Sequence, residues 1–322
     1  MRLATFRTRE QPAAQFGALL EDGRLLALRA AAMTLLAEYP LPERYEAARL
    51  LRHAQAFLEG GEEAFAMAFQ VVERAEQLLR QGREPRGEQG QPVLYPVDHV
   101  EFLPPVPRPG KIIAAGRNFA EHAAEMGGVT PREAPSGFIK VSSTLVGHDA
   151  AVIYPQFTRQ LDYEVELAAV IGRRGKNIPR EAALEYVAGY TIFNDLTARD
   201  VQRAESQRGN HLLGKNFDTA GPLGPYLVTA DEVPDPQRLE LELRVNGELR
   251  QRGNTAQMIH DFRALIAHWS QMTLLPGDII TSGTPAGVAA GRGDERWYLR
   301  PGDVIEASIE GLGTLRNTVR PA

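Results

Sequence analysis

The 322-residue chain has no cysteine. Disulfides, thiolate metal sites and cysteine nucleophiles are therefore excluded, and any metal must be held by oxygen or imidazole ligands. Lysine is nearly absent as well: Lys111, Lys140, Lys176 and Lys215 stand against a large excess of arginine. An ammonium is a compact charge that a guanidinium does not mimic. A lysine kept in such a chain is thus a candidate for a specific task, with chance retention as the alternative. Long apolar runs are missing too. No stretch approaches the roughly 20 apolar residues that span a bilayer, and the opening MRLATFRTRE has no apolar core of signal-peptide length. A cytoplasmic protein with no membrane partner is expected. The formal net charge is −5, so no basic field invites nucleic acid. Neither G-x-S-x-G nor H-E-x-x-H occurs, which leaves serine-hydrolase and zincin readings without support.

What is present describes a globular chain, 43% hydrophobic and 24% charged, long enough for two domains or one with an appendage. FGALLEDGRLLAL reads as a hairpin turning at Asp22-Gly23. Helices are expected over 42–58 and 62–79, followed by a polar, Gly- and Pro-containing linker over 81–92. Beyond it the texture becomes β: short apolar runs bounded by Gly, Pro or Asn, a hairpin signal at Asn246-Gly247, and two Pro-Gly-Asp turns that launch LPGDII and RPGDVI. One amphipathic helix is expected over 257–272, with Ile259, Phe262, Leu265, Ile266 and Trp269 on its apolar stripe. These readings give an α+β, mainly β protein, divided into a small N-terminal domain with linker (1–92) and a larger β domain (93–322).

Four stretches carry chemistry. GNHLLGKN, ending in Lys215-Asn216, nearly matches a phosphate loop. That loop needs a strand before it, a helix after it and a hydroxyl after the lysine, and none is expected here. Lys215 then either lies near a surface turn or serves another anion. LDYEVELAAVIG places Asp162, Glu164 and Glu166 at alternate positions, on one face of a strand. They form a solvent-facing edge or, if turned inward, a pair of carboxylates that cannot both stay ionised without a cation; a hard divalent ion suits them. Asp195 ends the apolar run AGYTIFND, either as the N-cap of the following helix or as a site residue. In GRNFAEHAAEMG, His122 and Glu125 are three apart, an exposed polar pair or a carboxylate-oriented general base.

GRNFAEHAAEM, DYEVELAAVIG, FNDLTARDVQ, GKNFDTAGPLGP, RVNGELRQRGNT and LLPGDIITSGTPAGV, in that order, resemble the fumarylacetoacetate hydrolase family over roughly 105–320. The resemblance implies a mixed β-sandwich or β-roll catalytic domain, a small N-terminal α/β domain and a homodimer. It implies metal ligation by Glu164, Glu166 and Asp195, with Mg²⁺ or Mn²⁺, or Ca²⁺ as in some members. It implies catalytic roles for Lys215, His122 and Glu125, the last two on a lid segment, and substrate contacts from Arg117, Gln202 and Thr284. The substrate class implied is a 2-oxo (2,4-dioxo) acid reacting through a metal-stabilised enolate. Fumarylacetoacetase itself carries a further metal-binding aspartate, where this chain reads AAGRNFAEH. That departure points to the branch of acylpyruvases, oxaloacetate decarboxylases and tautomerases, and dienedioate isomerases. An acylpyruvase-like C–C hydrolase is the first expectation. Decarboxylation or tautomerisation follows as the alternative, and a nucleotide binder or a catalytically silent binding module stands further off.

Overall fold

The structure is a computed structural model that describes residues 1–127 and 133–322. A twelve-stranded mixed sheet forms its centre. From one edge its main path runs Leu94–Pro96, Arg24–Ala27, Gln15–Leu19, Arg2–Arg7, Gly221–Thr229, Val187–Asn194, Val165–Ile171, Ile279–Thr281, Ile112–Ala115 and Gly137–Lys140. The first strand of the chain pairs with Gly221–Thr229, Leu3 opposite Leu227. The N-terminal strands and the β region therefore share one sheet. A second sheet runs Glu248–Asn254, Glu240–Val245, Val304–Ile309, Gly313–Arg320 and Ala151–Ile153.

The strand Val165–Ile171 is buried along its whole length. Successive side chains of a strand point to opposite faces. Val165, Leu167, Ala169 and Ile171 pack in one core with Leu241, Leu243, Ile305 and Ala307 of the second sheet. Ala168 and Val170 pack in another with Leu28, Ala31, Phe57, Ala64 and Val71 of the N-terminal helices. The acidic alternation of LDYEVEL thus turns inward. It is also interrupted: Leu161–Asp162 pairs separately with Thr197–Ala198 before the main strand starts at Val165.

Both expected hairpins form, around Asp22-Gly23 and Asn246-Gly247. Three expected helices have different limits. The first is Leu41–Leu50. The next begins at Ala54, capped by His53 Nδ1, which accepts from Ala56 N–H. It runs to Arg80 through a break at Gly61, whose φ of 52° only glycine adopts without strain. The third is confined to Phe262–Trp269, because the Asp261 carboxylate accepts the Ala264 N–H and starts the helix there. Among the described residues, no helix is long and apolar enough to cross a membrane.

Candidate metal and catalytic site

Three chain segments supply the acidic centre. Glu164 immediately precedes the strand Val165–Ile171, Glu166 lies near that strand's start, and Asp195 follows the strand Val187–Asn194. Antiparallel pairing of Val165 with Asn194 brings these strand ends together, and Asp195 N–H donates to the Glu164 carbonyl at 2.9 Å. The three carboxylates are buried and each offers an oxygen within 4.8 Å of the others. Asp195 does not cap the next helix. That helix, Arg199–Ser206, starts at Ala198 without a side-chain cap, and the Asp195 oxygens are taken up by ammonium groups.

Lys215 Nζ donates to Glu164 Oε2 at 2.8 Å and to Asp195 Oδ2 at 2.7 Å. Lys140 Nζ donates to Asp195 Oδ1 at 2.6 Å and to the carbonyls of Lys215 and Ala220 at 2.6 and 3.0 Å. Arg199 donates to Asp162 Oδ2 at 2.7 Å and to Glu164 Oε1 at 2.5 Å. Asp162 also accepts the Ala289 and Ala290 N–H groups at 2.8 and 3.0 Å. Within this centre, four buried carboxylates (Asp162, Glu164, Glu166, Asp195) stand against three buried cations (Lys140, Lys215, Arg199). Burial alone would raise the Glu164 carboxyl, but Lys215 and Arg199 outweigh it and hold the pKa at about 2. Glu166 goes the other way. Burial pushes it well above the usual carboxylate range, and Asp195 and Glu164 add to the rise. Its Oε2 has no hydrogen-bond partner. Burial lowers the Lys140 pKa despite Asp195; for Lys215, Asp195 and Glu164 overcome burial and raise it.

This donor set fits a hard divalent cation. It is all oxygen, converging, buried, and left with an orphaned carboxylate oxygen and one carboxylate more than the three buried cations. It does not fit a phosphate loop. Lys215 is preceded by the helix Arg199–Ser206 and followed by the strand Gly221–Thr229, so the helix that a phosphate loop needs directly after its lysine is not there.

His122, in the short helix Ala120–Glu125, is buried and near enough to act on the charge of Glu164. Its Nδ1 lies 3.4 Å from Glu125 Oε2. The Gly287 N–H donates to both Glu125 oxygens, at 3.1 and 3.2 Å, so this helix is clasped from the far side by the segment after GTPA. A Cβ at Gly291 would fall 2.2 Å from Glu125 Cδ, so the clasp needs glycine there. Gln202 Oε1 accepts from Arg199 at 3.0 Å. The Thr284 hydroxyl donates to the Val165 carbonyl and accepts from Gln251 Nε2, at 2.9 and 2.8 Å. Arg117 is exposed, with a φ of 53°. The structure therefore gathers Glu164, Glu166, Asp195, Lys215 and His122 into one centre with Glu125 behind the histidine, while Arg117 is exposed, within reach of His211, which also feels Lys215 and Asp195, and the Thr284 hydroxyl is already engaged. Two open clefts, of about 740 and 1120 Å³, lie elsewhere and are lined by none of these residues.

Sequence reasoning named Asp162 among the alternating acids and Lys140 among the rare lysines without giving either its role here, and it missed Arg199. The scarcity of lysine was a signal for Lys140. Nothing local marks Arg199, which is one arginine among many.

Comparison with known proteins identifies the family. A family model described as fumarylacetoacetate hydrolase C-terminal matches residues 111–320. The chain belongs to the fumarylacetoacetate hydrolase family of enzymes. It is 42% identical over 261 residues to the oxaloacetate tautomerase YisK of Bacillus subtilis strain 168, covering 80% of this chain and 85% of that one. Among solved structures, the fumarylacetoacetate hydrolase of Exiguobacterium antarcticum aligns over all of both chains, with a TM-score of 0.74 at 33% identity. The fumarylpyruvate hydrolase of Pseudomonas aeruginosa, solved in complex with Mn²⁺ and pyruvate, aligns over 69% of this chain and 92% of its own, with a TM-score of 0.61 at 34% identity.

Proposed function

We propose that this family member is a divalent-metal-dependent enzyme that interconverts keto and enol forms of a small 2-oxo diacid of the oxaloacetate kind. The observation that carries the reading is the convergence of Glu164, Glu166 and Asp195 oxygens within 4.8 Å, in a buried site that also holds Lys215. In this reading those three carboxylates hold Mg²⁺ or Mn²⁺, and Ca²⁺ is accommodated by the same oxygens. The ion, when bound, supplies Lewis acidity beside the substrate's oxygens.

The remaining roles fall to the chain itself. Lys215 keeps a positive charge next to the carboxylates, where substrate oxygen gains negative charge as C3 loses a proton. His122 has Nδ1 turned to Glu125, which leaves Nε2 to take the C3 proton. Tautomerisation is complete when a proton reaches the C2 oxygen. Burial keeps bulk water from the reacting carbons. Gln202, Thr284 and Arg117 are assigned to substrate contact, Arg117 by a movement of its exposed side chain. The oxaloacetate tautomerase relative supports this chemistry.

A second reading is hydrolysis of an acylpyruvate, with His122 and Glu125 activating water. It is favoured by the pyruvate complex of the fumarylpyruvate hydrolase. The proposal includes a catalytic unit from 93 onward supported by residues 1–92, a homodimer, and a cytoplasmic setting. One assay series tests the function: the ultraviolet decay of the oxaloacetate enol and the cleavage of an acylpyruvate, each with Mn²⁺ and with chelator. Metal-dependent acceleration of enol decay is expected. Enol decay at the uncatalysed rate in the presence of Mn²⁺ contradicts it.

A further inference from the structure

Three buried polar atoms without partners fall on one patch of the large sheet: Glu166 Oε2, Thr191 Oγ1 and Thr281 Oγ1. Strand register explains why. Ala168 is opposite Thr191 on one neighbouring strand and opposite Thr281 on the other. Residues in one cross-strand row share a face, and the residue two positions along shares it as well. Glu166 therefore stands on the face that bears both hydroxyls, beside a side chain no larger than a methyl. All four residues are at most 1% exposed. Thr281 is close enough to act on the Glu166 carboxyl, yet the two do not meet in a well-formed hydrogen bond.

Val170, Phe193 and Ile279 of that face pack in the same core as Ala168, and Lys140, in the row of Ile279 and Ile112, spends its N–H groups on Asp195 and the carbonyls of Lys215 and Ala220. Valine would fill the threonine positions without burying a hydroxyl, and an unpaired buried hydroxyl costs free energy. Buried polar groups in folded proteins are satisfied by protein or by ordered water, and a buried water takes two to four polar partners.

We propose that Thr191, Thr281 and Glu166 Oε2 bind one buried water above the Ala168 methyl, and that through it the two threonines act as positioning residues for Glu166. The water fixes the orientation of a carboxylate to which the lysines and Arg199 do not donate. This inference rests on the reading of Glu166 as a metal ligand.

The test uses Thr281→Val, Thr191→Val, the double variant and Thr281→Ser, in the full chain. Mn²⁺ affinity is measured by titration calorimetry, and melting is followed without metal. Partners behind a metal ligand typically contribute 10–100-fold in affinity, so each valine variant is expected to weaken Mn²⁺ binding by about tenfold. The double variant should lose little more than either single one, because both hydroxyls hold the same water. Thr281→Ser should bind as the parent does, and metal-free melting of the valine variants should be unchanged or higher. Parental Mn²⁺ affinity in both single valine variants overturns the inference, as do losses that multiply in the double variant. Lower metal-free melting with unchanged affinity assigns the threonines to packing and overturns it too. Glu166→Gln separates the two levels. If it loses Mn²⁺ while the threonine variants keep it, only this inference fails. If it binds Mn²⁺ like the parent, the metal reading fails and the inference with it.

Discussion

Glu164 and Glu166 are two residues apart and equally hidden from solvent, yet their surroundings are opposite. The Glu164 flank is saturated with the protein's own cations: Lys215 on one oxygen, Arg199 on the other, and Lys140 one carboxylate away on Asp195. Glu166 Oε2 accepts from none of these cations, and burial with two neighbouring carboxylates drives its carboxyl toward the protonated form. A buried ion pair holds itself together, whereas a buried lone carboxylate needs a visitor. The flank with the unpaired carboxyl is where an added cation gains most, and the flank with built-in cations keeps the acids aligned until it arrives.

The largest expected effect breaks the paired flank. Glu164→Gln leaves Lys215 and Arg199 buried without their charge partner. Loss of one member of such a pair costs about 3–5 kcal/mol, so the urea midpoint should fall sharply, and metal-dependent turnover should vanish with it. Glu166→Gln sharpens the contrast. It should abolish turnover and Mn²⁺ binding equally, while metal-free stability stays within about 1 kcal/mol of the parent or exceeds it, since no paired charge is lost. If the two variants destabilise alike, the distinction between the flanks is wrong. His122→Ala belongs chemically to the Glu164 side. Loss of a general base lowers turnover by roughly 10²–10⁴-fold, while Mn²⁺ affinity should be kept, because His122 is not one of the converging ligands.

The smallest effect comes from a residue in neither flank. Burial lowers the His148 pKa, and its Nδ1 accepts the Arg316 N–H at 3.1 Å, so the fold prefers the neutral ring. The unfolded chain then binds the proton first as pH falls. Stability is therefore full above the unfolded value of 6.5 and declines below it. His148→Asn should flatten that slope in urea titrations between about pH 7 and 5, and should leave Mn²⁺ affinity unchanged.

Much of the centre is legible in the sequence because its signals are local. Alternate acids at Asp162, Glu164 and Glu166, an acid closing an apolar run at Asp195, and a rare lysine in a glycine-punctuated loop are all visible in short windows. The hairpins at Asp22-Gly23 and Asn246-Gly247 are local for the same reason. What escapes is set by partners far away in the chain. Lys140 meets Asp195 across 55 positions, and Arg199 meets Asp162 across 37. Nothing near Leu3 announces that it lies beside Leu227 and joins the N-terminal strands to the central sheet. Helix limits moved where a single side chain decided them: His53 and Asp261 as caps, Gly61 as a break. The N-cap reading of Asp195 gave way because a buried carboxylate gains more from two ammonium groups than from one backbone N–H.

The most direct measurement is anomalous diffraction at the manganese edge from crystals grown with Mn²⁺. A single anomalous peak within bonding reach of Glu164, Glu166 and Asp195 oxygens is the predicted result. A crystal that holds Mn²⁺ only elsewhere, with those three carboxylates still gathered around Lys215, would contradict it.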